Sequence, residues 1–237
     1  EVRAKTGKTL DSTAPEVKRL TEIKGIEAVT SVVEDNALAV YGNKQQPVVI
    51  KGVPANYSSV NNIDDALLDG ETMFADSLPY AVIGVGISNT LMVAPHFLSP
   101  IYLYAPKRKA KVNLINPSTS FNTRQVYCSG VFSISQSESD NKFVYVPIEV
   151  AKQLFDYTTE ATLLEIKVTD EQNVGEVEKE VQNILGEEYV VKDRIEQKSE
   201  AFSMMAIEKW ITFFMLLFVL VISTFNIIAS VSMLIID

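Results

Sequence analysis

The chain has 237 residues, 47% of them hydrophobic, and a formal net charge of −9. That acidic balance argues against a nucleic-acid partner, which needs clustered Lys and Arg. The single cysteine, Cys128, excludes an intrachain disulfide. The length allows one large or two small domains beside a membrane segment.

The chain opens on Glu1-Val2-Arg3-Ala4-Lys5 without a signal peptide and ends abruptly at Asp237, so a fragment of a longer protein is expected. Residues 12–25 predict a helix. Ser12 or Thr13 can cap it, Pro15 suits its first turn, Val17, Leu20 and Ile23 share a face, and Gly25 is a natural stop. Stretches 26–33, 37–41 and 47–53, rich in Val and Ile, predict three strands, the last two joined by a hairpin turn at Gly42-Asn43. A second unit lies downstream: a strand at 162–168, a helix at 171–185 with Val174, Val177, Val181 and Ile184 on one face, and a strand at 188–192. Together the two units predict a split ferredoxin-like α+β subdomain in two halves, 1–55 and 159–195.

Residues 56–158 then form an inserted mixed α/β subdomain. Its acidic surface segment holds Asp64, Asp65, Asp69 and Glu71, and its strands fall at 80–84, 101–105, 125–134 and 143–146. Short helices are expected at 87–93 and 147–155. Cys128 alternates with apolar neighbours and reads as a buried small hydrophobe.

Residues 210–236 hold no charged residue, proline or glycine in 27 positions. A transmembrane helix needs about 20 mostly apolar residues, and this run would extend about 40 Å. No breaker separates it from residues 195–209, so one helix is expected to begin near Ile195 outside the bilayer and pass through it. Residues 196–237 are the stalk and membrane helix. Phe202, Met205, Glu208 and Lys209 mark the passage from water to the headgroups, and Trp210 suits an interfacial anchor. Ser223, Asn226 and Ser230 share one face at i, i+3 and i+7. Polar groups in lipid need partners, so this face should meet another helix, or contact substrate directly.

Catalytic groups are sparse. Ile83-Gly84-Val85-Gly86-Ile87-Ser88-Asn89 lacks the third glycine and the later acidic residue of a dinucleotide fingerprint, and reads as a tight strand-to-helix turn. His96 is the only histidine, which removes His-based metal clusters and Ser-His-Asp triads. The pairs Glu34-Asp35, Asp64-Asp65 and Glu187-Glu188 read as solvated surface rather than acid–base partners. There is no P-loop, so ATP hydrolysis is not expected in this chain, and no cofactor is implied. The stretch 106–124 is more informative. It gathers Lys107, Arg108, Lys109 and Arg124 with Val112, Leu114, Ile115 and Phe121 in an acidic chain. It reads either as a protein-docking loop or as a variable loop without a role, and docking is favoured.

The residues Val191-Lys-Asp-Arg-Ile-Glu-Gln-Lys-Ser-Glu-Ala-Phe202, then Ile207-Glu-Lys209 and Phe225-Asn-Ile-Ile-Ala-Ser230, closely resemble the permease subunits of lipoprotein-releasing ABC transporters, the LolC and LolE type within the MacB/FtsX-like superfamily. Looser phrases such as Ala81-Val-Ile-Gly84 and Val144-Tyr-Val-Pro147 extend the likeness along the chain. The resemblance implies a MacB-like periplasmic core: a porter-like subdomain in two halves with an inserted one, followed by the second membrane helix. It places the protein in the bacterial inner membrane, with residues 1 to about 205 in the periplasm. It also implies a cytoplasmic ATPase subunit, a second permease subunit, identical or related, a lipoprotein substrate and a periplasmic lipoprotein chaperone. In that family a hairpin of the inserted subdomain can hook the chaperone. Residues 106–124 occupy its place, although their sequence differs from the family loop. The alternatives are an FtsX-type regulatory scaffold for cell-wall hydrolases and a MacB-type efflux permease.

Overall fold

The structure, a computed structural model, describes all residues except 75–78, 109–119, 135–136, 170–173 and 237. The side chains of residues 59, 137–138, 194–206 and 229–236 are likewise outside it. Two compact units result, Glu1–Val191 and Lys192–Asp237.

In the first unit the elements run β1 (Val2–Ala4), β2 (Leu10–Asp11), α1 (Pro15–Leu20), β3 (Ile26–Tyr41), β4 (Lys44–Val53) and α2 (Tyr57–Val60). After a 3₁₀ turn at Asp64–Ala66 come β5 (Leu67–Gly70), β6 (Tyr80–Gly84), α3 (Val85–Leu91), β7 (Ile101–Pro106) and β8 (Phe121–Phe132). Then follow α4 (Ser137–Lys142), β9 (Phe143–Pro147), α5 (Ile148–Phe155), β10 (Glu160–Ala161), β11 (Leu163–Val168), α6 (Val174–Leu185) and β12 (Tyr189–Val191). Ten strands make one mixed sheet in the order β12-β1-β11-β3-β4-β9-β6-β8-β5, with β7 pairing both β3 and β8. β2 and β10 form a separate ribbon. The fold class is α+β, as the sequence predicts.

The 16-residue β3 organises the sheet. Its first half pairs with β11, Val32 opposite Leu163. Its second half pairs with β4, from Val33 opposite Gly52 to Tyr41 opposite Lys44. The sequence predicts a break at Glu34-Asp35-Asn36, and the structure carries the strand straight through. These polar side chains find partners at the crossover while the ladder continues. Arg3 Nη2 lies 3.1 Å from Glu34 Oε1, and Lys8 Nζ lies 2.6 Å from Asp35 Oδ1. Thr162 Oγ1 accepts the Glu34 N–H at 2.6 Å. The predicted two-residue turn is present, with Gly42 at φ 59°, where a type II′ turn takes glycine at its first central position.

The first helix is shorter than 12–25. Ser12 does not cap it: its hydroxyl donates to the Thr159 carbonyl at 2.7 Å, and Asp11 accepts from the Thr13 N–H and hydroxyl. These bonds continue the β2–β10 ribbon past Asp11, so the helix waits for Pro15, whose φ suits the first turn.

Strand alternation places the core on both faces of the sheet. On one face, α1 and α6 cover Val2 and Leu164 through Val17, Leu20, Val177 and Val181. Farther along, α3 and α5 cover Val33, Ile50, Ile83 and Val144 through Ile87, Leu91 and Leu154. The neighbouring residues Val32, Leu163, Val53, Val82 and Tyr145 point the other way. With Tyr57, Phe74 and Phe132 they form a third cluster. That cluster is the back wall of both helix-covered lobes, since it draws on β11 as well as on β4, β6, β8 and β9.

The second unit contains one helix, α7 (Arg194–Ile236), of 43 residues. Its stretch Ile207–Ile228 is long and apolar enough to cross a membrane, and its side chains are unburied. An apolar surface of that extent is what a bilayer would cover.

Candidate functional site

The loop singled out by sequence is rooted on β7 and β8. These strands pair without interruption from Ile101 opposite Val126 to Pro106 opposite Phe121, and the Lys107 N–H extends the ladder to the Ser120 carbonyl at 2.9 Å. At the root, Arg108 Nη1 lies 3.1 Å from Glu160 Oε1, and its guanidinium sits 5.0 Å from the Tyr157 ring centre. Tyr157 is buried, and its hydroxyl lies 3.4 Å from Asp35 Oδ2. Burial, then the Asp35 carboxylate, raises the Tyr157 phenol above its ordinary value, against the opposing pull of Arg108. The Thr158 N–H, with the Thr158 hydroxyl and Arg108 adding to it, holds the Glu160 carboxylate down at about 2. An exposed ion pair of this kind is screened by solvent and adds little to stability. The strand ladder therefore fixes the root, and Arg108 orients it.

Of the predicted loop residues, Lys107, Arg108 and Phe121 stand together at this root, with Phe121 44% exposed. Arg124 is turned back onto the domain, its Nε donating to Gln153 Oε1 of α5 at 3.2 Å. Lys109, Val112, Leu114 and Ile115 lie outside the described residues.

In α7, Glu208 and Lys209 are exposed, and Trp210 packs its ring 6.0 Å from Phe213 and 5.9 Å from Phe214. The backbone of Phe202 and Met205 is helical, and their side chains lie outside the described residues. Thr212 and Thr224 donate to the carbonyls of Glu208 and Leu220, one turn back. Ser223 and Asn226 are exposed on the apolar stretch, and the Ser230 side chain lies outside the described residues.

The two glycines of Ile83-Gly84-Val85-Gly86 close a strand-to-helix turn between β6 and α3. A Cβ on Gly84 would land on the Asp140 carbonyl, and one on Gly86 on the Asn141 side-chain oxygen. The glycines thus admit α4 against this turn. Cys128 is buried on β8, and burial pushes its thiol up to about 12. The thiolate is the reactive form, so in the folded protein Cys128 should resist maleimide at pH 8 and react only after unfolding in denaturant. Mass spectrometry of labelled protein checks this.

Sequence reasoning missed one polar cluster, on the third-cluster side of the sheet. Lys51 of β4 and Glu165 of β11 approach to 2.5 Å, with side chains only 12% and 18% exposed. The Tyr57 hydroxyl donates to Glu165 Oε2 at 2.8 Å, and Asn61 Nδ2 donates to that hydroxyl at 2.8 Å. The rings of Tyr57, Phe143 and Tyr145 stand 5.9, 6.0 and 5.7 Å from the ammonium. Burial would lower the Lys51 pKa, but Glu165, with the two tyrosines, outweighs it and raises it, so the side chain stays charged. The available signal was parity. In β4, Ile50 and Lys51 face opposite sides, and the lysine falls on the side of Val53, which is buried.

A mixed-sheet α+β domain followed by a helix of membrane-spanning length is the make-up of an extramembrane domain attached to a membrane protein. A family model for the MacB-like periplasmic core domain matches residues 2–184. The chain belongs to that family, and thereby to the MacB/FtsX-like permeases of ABC-type transporters. Among solved structures, the periplasmic region of MacB from Actinobacillus actinomycetemcomitans is similar at 15% identity and a TM-score of 0.59, covering 84% of this chain and 91% of that one. The extracellular domain of the noncanonic ABC-type transporter YknZ from Gram-positive bacteria is similar at 15% identity and a TM-score of 0.55, covering 79% and 91%. No curated protein matches in sequence. The likeness reaches the superfamily and does not separate its lipoprotein-releasing, efflux and scaffold branches. Domains of this family are non-catalytic. Membership implies an ATPase partner and an inner-membrane protein with a periplasmic region.

Proposed function

We propose that this chain is the force-transmitting part of a non-catalytic permease subunit that extracts lipoproteins from the inner membrane and passes them to a periplasmic chaperone. The observation that carries the reading is the single helix Arg194–Ile236, which holds the membrane-length stretch and the turns ahead of it without a break. At 1.5 Å per residue it is about 65 Å long. A helix without glycine or proline moves as a rod, so displacement at its membrane end reaches its other end. The stalk phrase Val191–Phe202 and the signature Phe225-Asn-Ile-Ile-Ala-Ser230 support the lipoprotein-releasing branch over the efflux and scaffold branches.

In this reading residues 1–55 and 159–195 are the porter-like subdomain, 56–158 the inserted one and 196–237 the stalk and membrane helix. ATP hydrolysis belongs to a separate cytoplasmic subunit, and a second permease subunit meets the Ser223-Asn226-Ser230 face, where a side-chain amide in lipid gains from a hydrogen-bonding partner. Loop 106–124 docks the chaperone through its cationic and apolar residues.

The test inserts Pro-Gly after Ser203 in the full-length protein within its transporter. Such an insertion breaks the helix. Lipoprotein release to a soluble chaperone is expected to fall by about tenfold or more, while membrane insertion and ATPase binding persist. Unchanged release removes the rigid-rod reading. Release that never depends on this transporter, with efflux or hydrolase activation depending on it instead, moves the protein to another branch.

A further inference from the structure

The polar cluster around Lys51 sits where the two helix-covered lobes meet. Lys51 lies on β4, whose neighbours Val48 and Ile50 belong to the core beneath α3 and α5. Glu165 lies on β11, whose neighbour Leu164 belongs to the core beneath α1 and α6. No ladder joins β4 to β11 directly, for β3 lies between them in the strand order. The ion pair is therefore a side-chain link between the lobes across the shared strand. Tyr57 adds a third element, because α2 reaches Glu165 through its hydroxyl.

We propose that Lys51, Glu165 and Tyr57 form a latch that fixes the angle between the two lobes. Three features of the cluster suit a latch rather than ordinary packing. Apolar contacts slide at little cost, whereas a charge-assisted contact holds one geometry. The back wall at this point is aromatic, with the Tyr145 ring tilted against those of Tyr57 and Phe143 and edge-to-face with that of Phe132. The rings of Tyr57, Phe143 and Tyr145 surround the ammonium and exclude water, which would weaken the pair. The position also matters. β11 leads through α6 and β12 to the helix α7, while β4 leads into residues 56–158 and α2 opens them. The latch thus couples the part of the domain that runs on in sequence to the membrane helix to the part that carries loop 106–124. This consequence rests on the force-transmitting reading above; the latch itself rests on the geometry alone.

The test is an inter-lobe distance in the full chain, purified in detergent. Spin labels at Asn89→Cys on α3 and Lys179→Cys on α6, both exposed positions, in a Cys128→Ala background report the separation of the lobes. The variant Lys51→Met/Glu165→Leu/Tyr57→Phe replaces the charges by apolar groups of similar size. The parent is expected to give one narrow distance distribution, and the triple variant, still cooperatively folded, a distribution about twice as broad. An unchanged width in the folded triple variant overturns the latch. If that variant does not fold, Glu165→Gln alone, which removes the ion pair and keeps an acceptor for the Tyr57 hydroxyl, is measured in its place, and an unchanged width overturns the latch equally. The measurement involves no transport. A latch that fails while the Pro-Gly insertion still stops release leaves the permease reading standing, and the reverse pair of results leaves the latch standing.

Discussion

Glu165→Ala is expected to destabilise the Glu1–Val191 unit by about 3 kcal/mol, near the lower end of what removal of one partner from a buried pair costs. The substitution leaves the Lys51 ammonium, 12% exposed, among three aromatic rings with no carboxylate. It also removes the acceptor of the Tyr57 hydroxyl, a residue that is fully buried. Both losses leave a polar group stranded, and such penalties exceed the net worth of the bond itself. In a domain of this size about 3 kcal/mol lowers the thermal midpoint by roughly 6–12 °C. Glu165→Gln keeps an acceptor for Tyr57 and should cost less. Circular dichroism melts of the two variants beside the parent decide the matter, and equal midpoints for Glu165→Ala and the parent would show that the pair is solvated. The apolar triple variant should recover most of the loss, because it removes the stranded ammonium and the stranded phenol together.

Gly84→Ala is expected to cost about 3 kcal/mol, at the upper end of what one extra methyl costs in a well-packed core. The new Cβ would meet the carbonyl, carbonyl carbon and Cα of Asp140, all of them backbone. Asp140 cannot step aside easily. Its carboxylate accepts the Ser133 hydroxyl and the Ile134 N–H, each at 2.8 Å, and so ties α4 to the end of β8. Gly86→Ala is the control. Its Cβ would first meet the Asn141 side-chain oxygen, which can swing away, although the Asn141 Cα at 3.2 Å remains tight. The loss should be clearly smaller there. Chemical denaturation of both variants tests the ranking, and a Gly86→Ala loss equal to or above that of Gly84→Ala would contradict it.

Much of the architecture was legible from local pattern. The strand at β6 and the helices α5 and α6 follow from apolar periodicity, and the turn at Gly42-Asn43 from its residues, because these elements are decided by neighbours within a few positions. The short strands β1, β2 and β10 were not legible. Each has only two or three residues, too few for a period, and each exists because a distant strand supplies its hydrogen bonds. β1 pairs with β11 and β12, more than 150 residues away in the chain. The loop root illustrates the same divide. The basic and apolar content of residues 106–124 marked the segment, but only the tertiary structure shows that Arg108 lies against Tyr157 and that Arg124 is spent on α5.

By itself the sequence determined the membrane-length helix, the α+β class and the absence of a P-loop. These depend on composition and on short-range periodicity, which one chain states in full. The tertiary structure alone decided that β3 runs unbroken through both lobes, that Gly84 makes room for α4, and that Lys51 meets Glu165. Each of these joins residues far apart in sequence, and in each the outcome turns on which long-range partner satisfies a backbone or a buried charge.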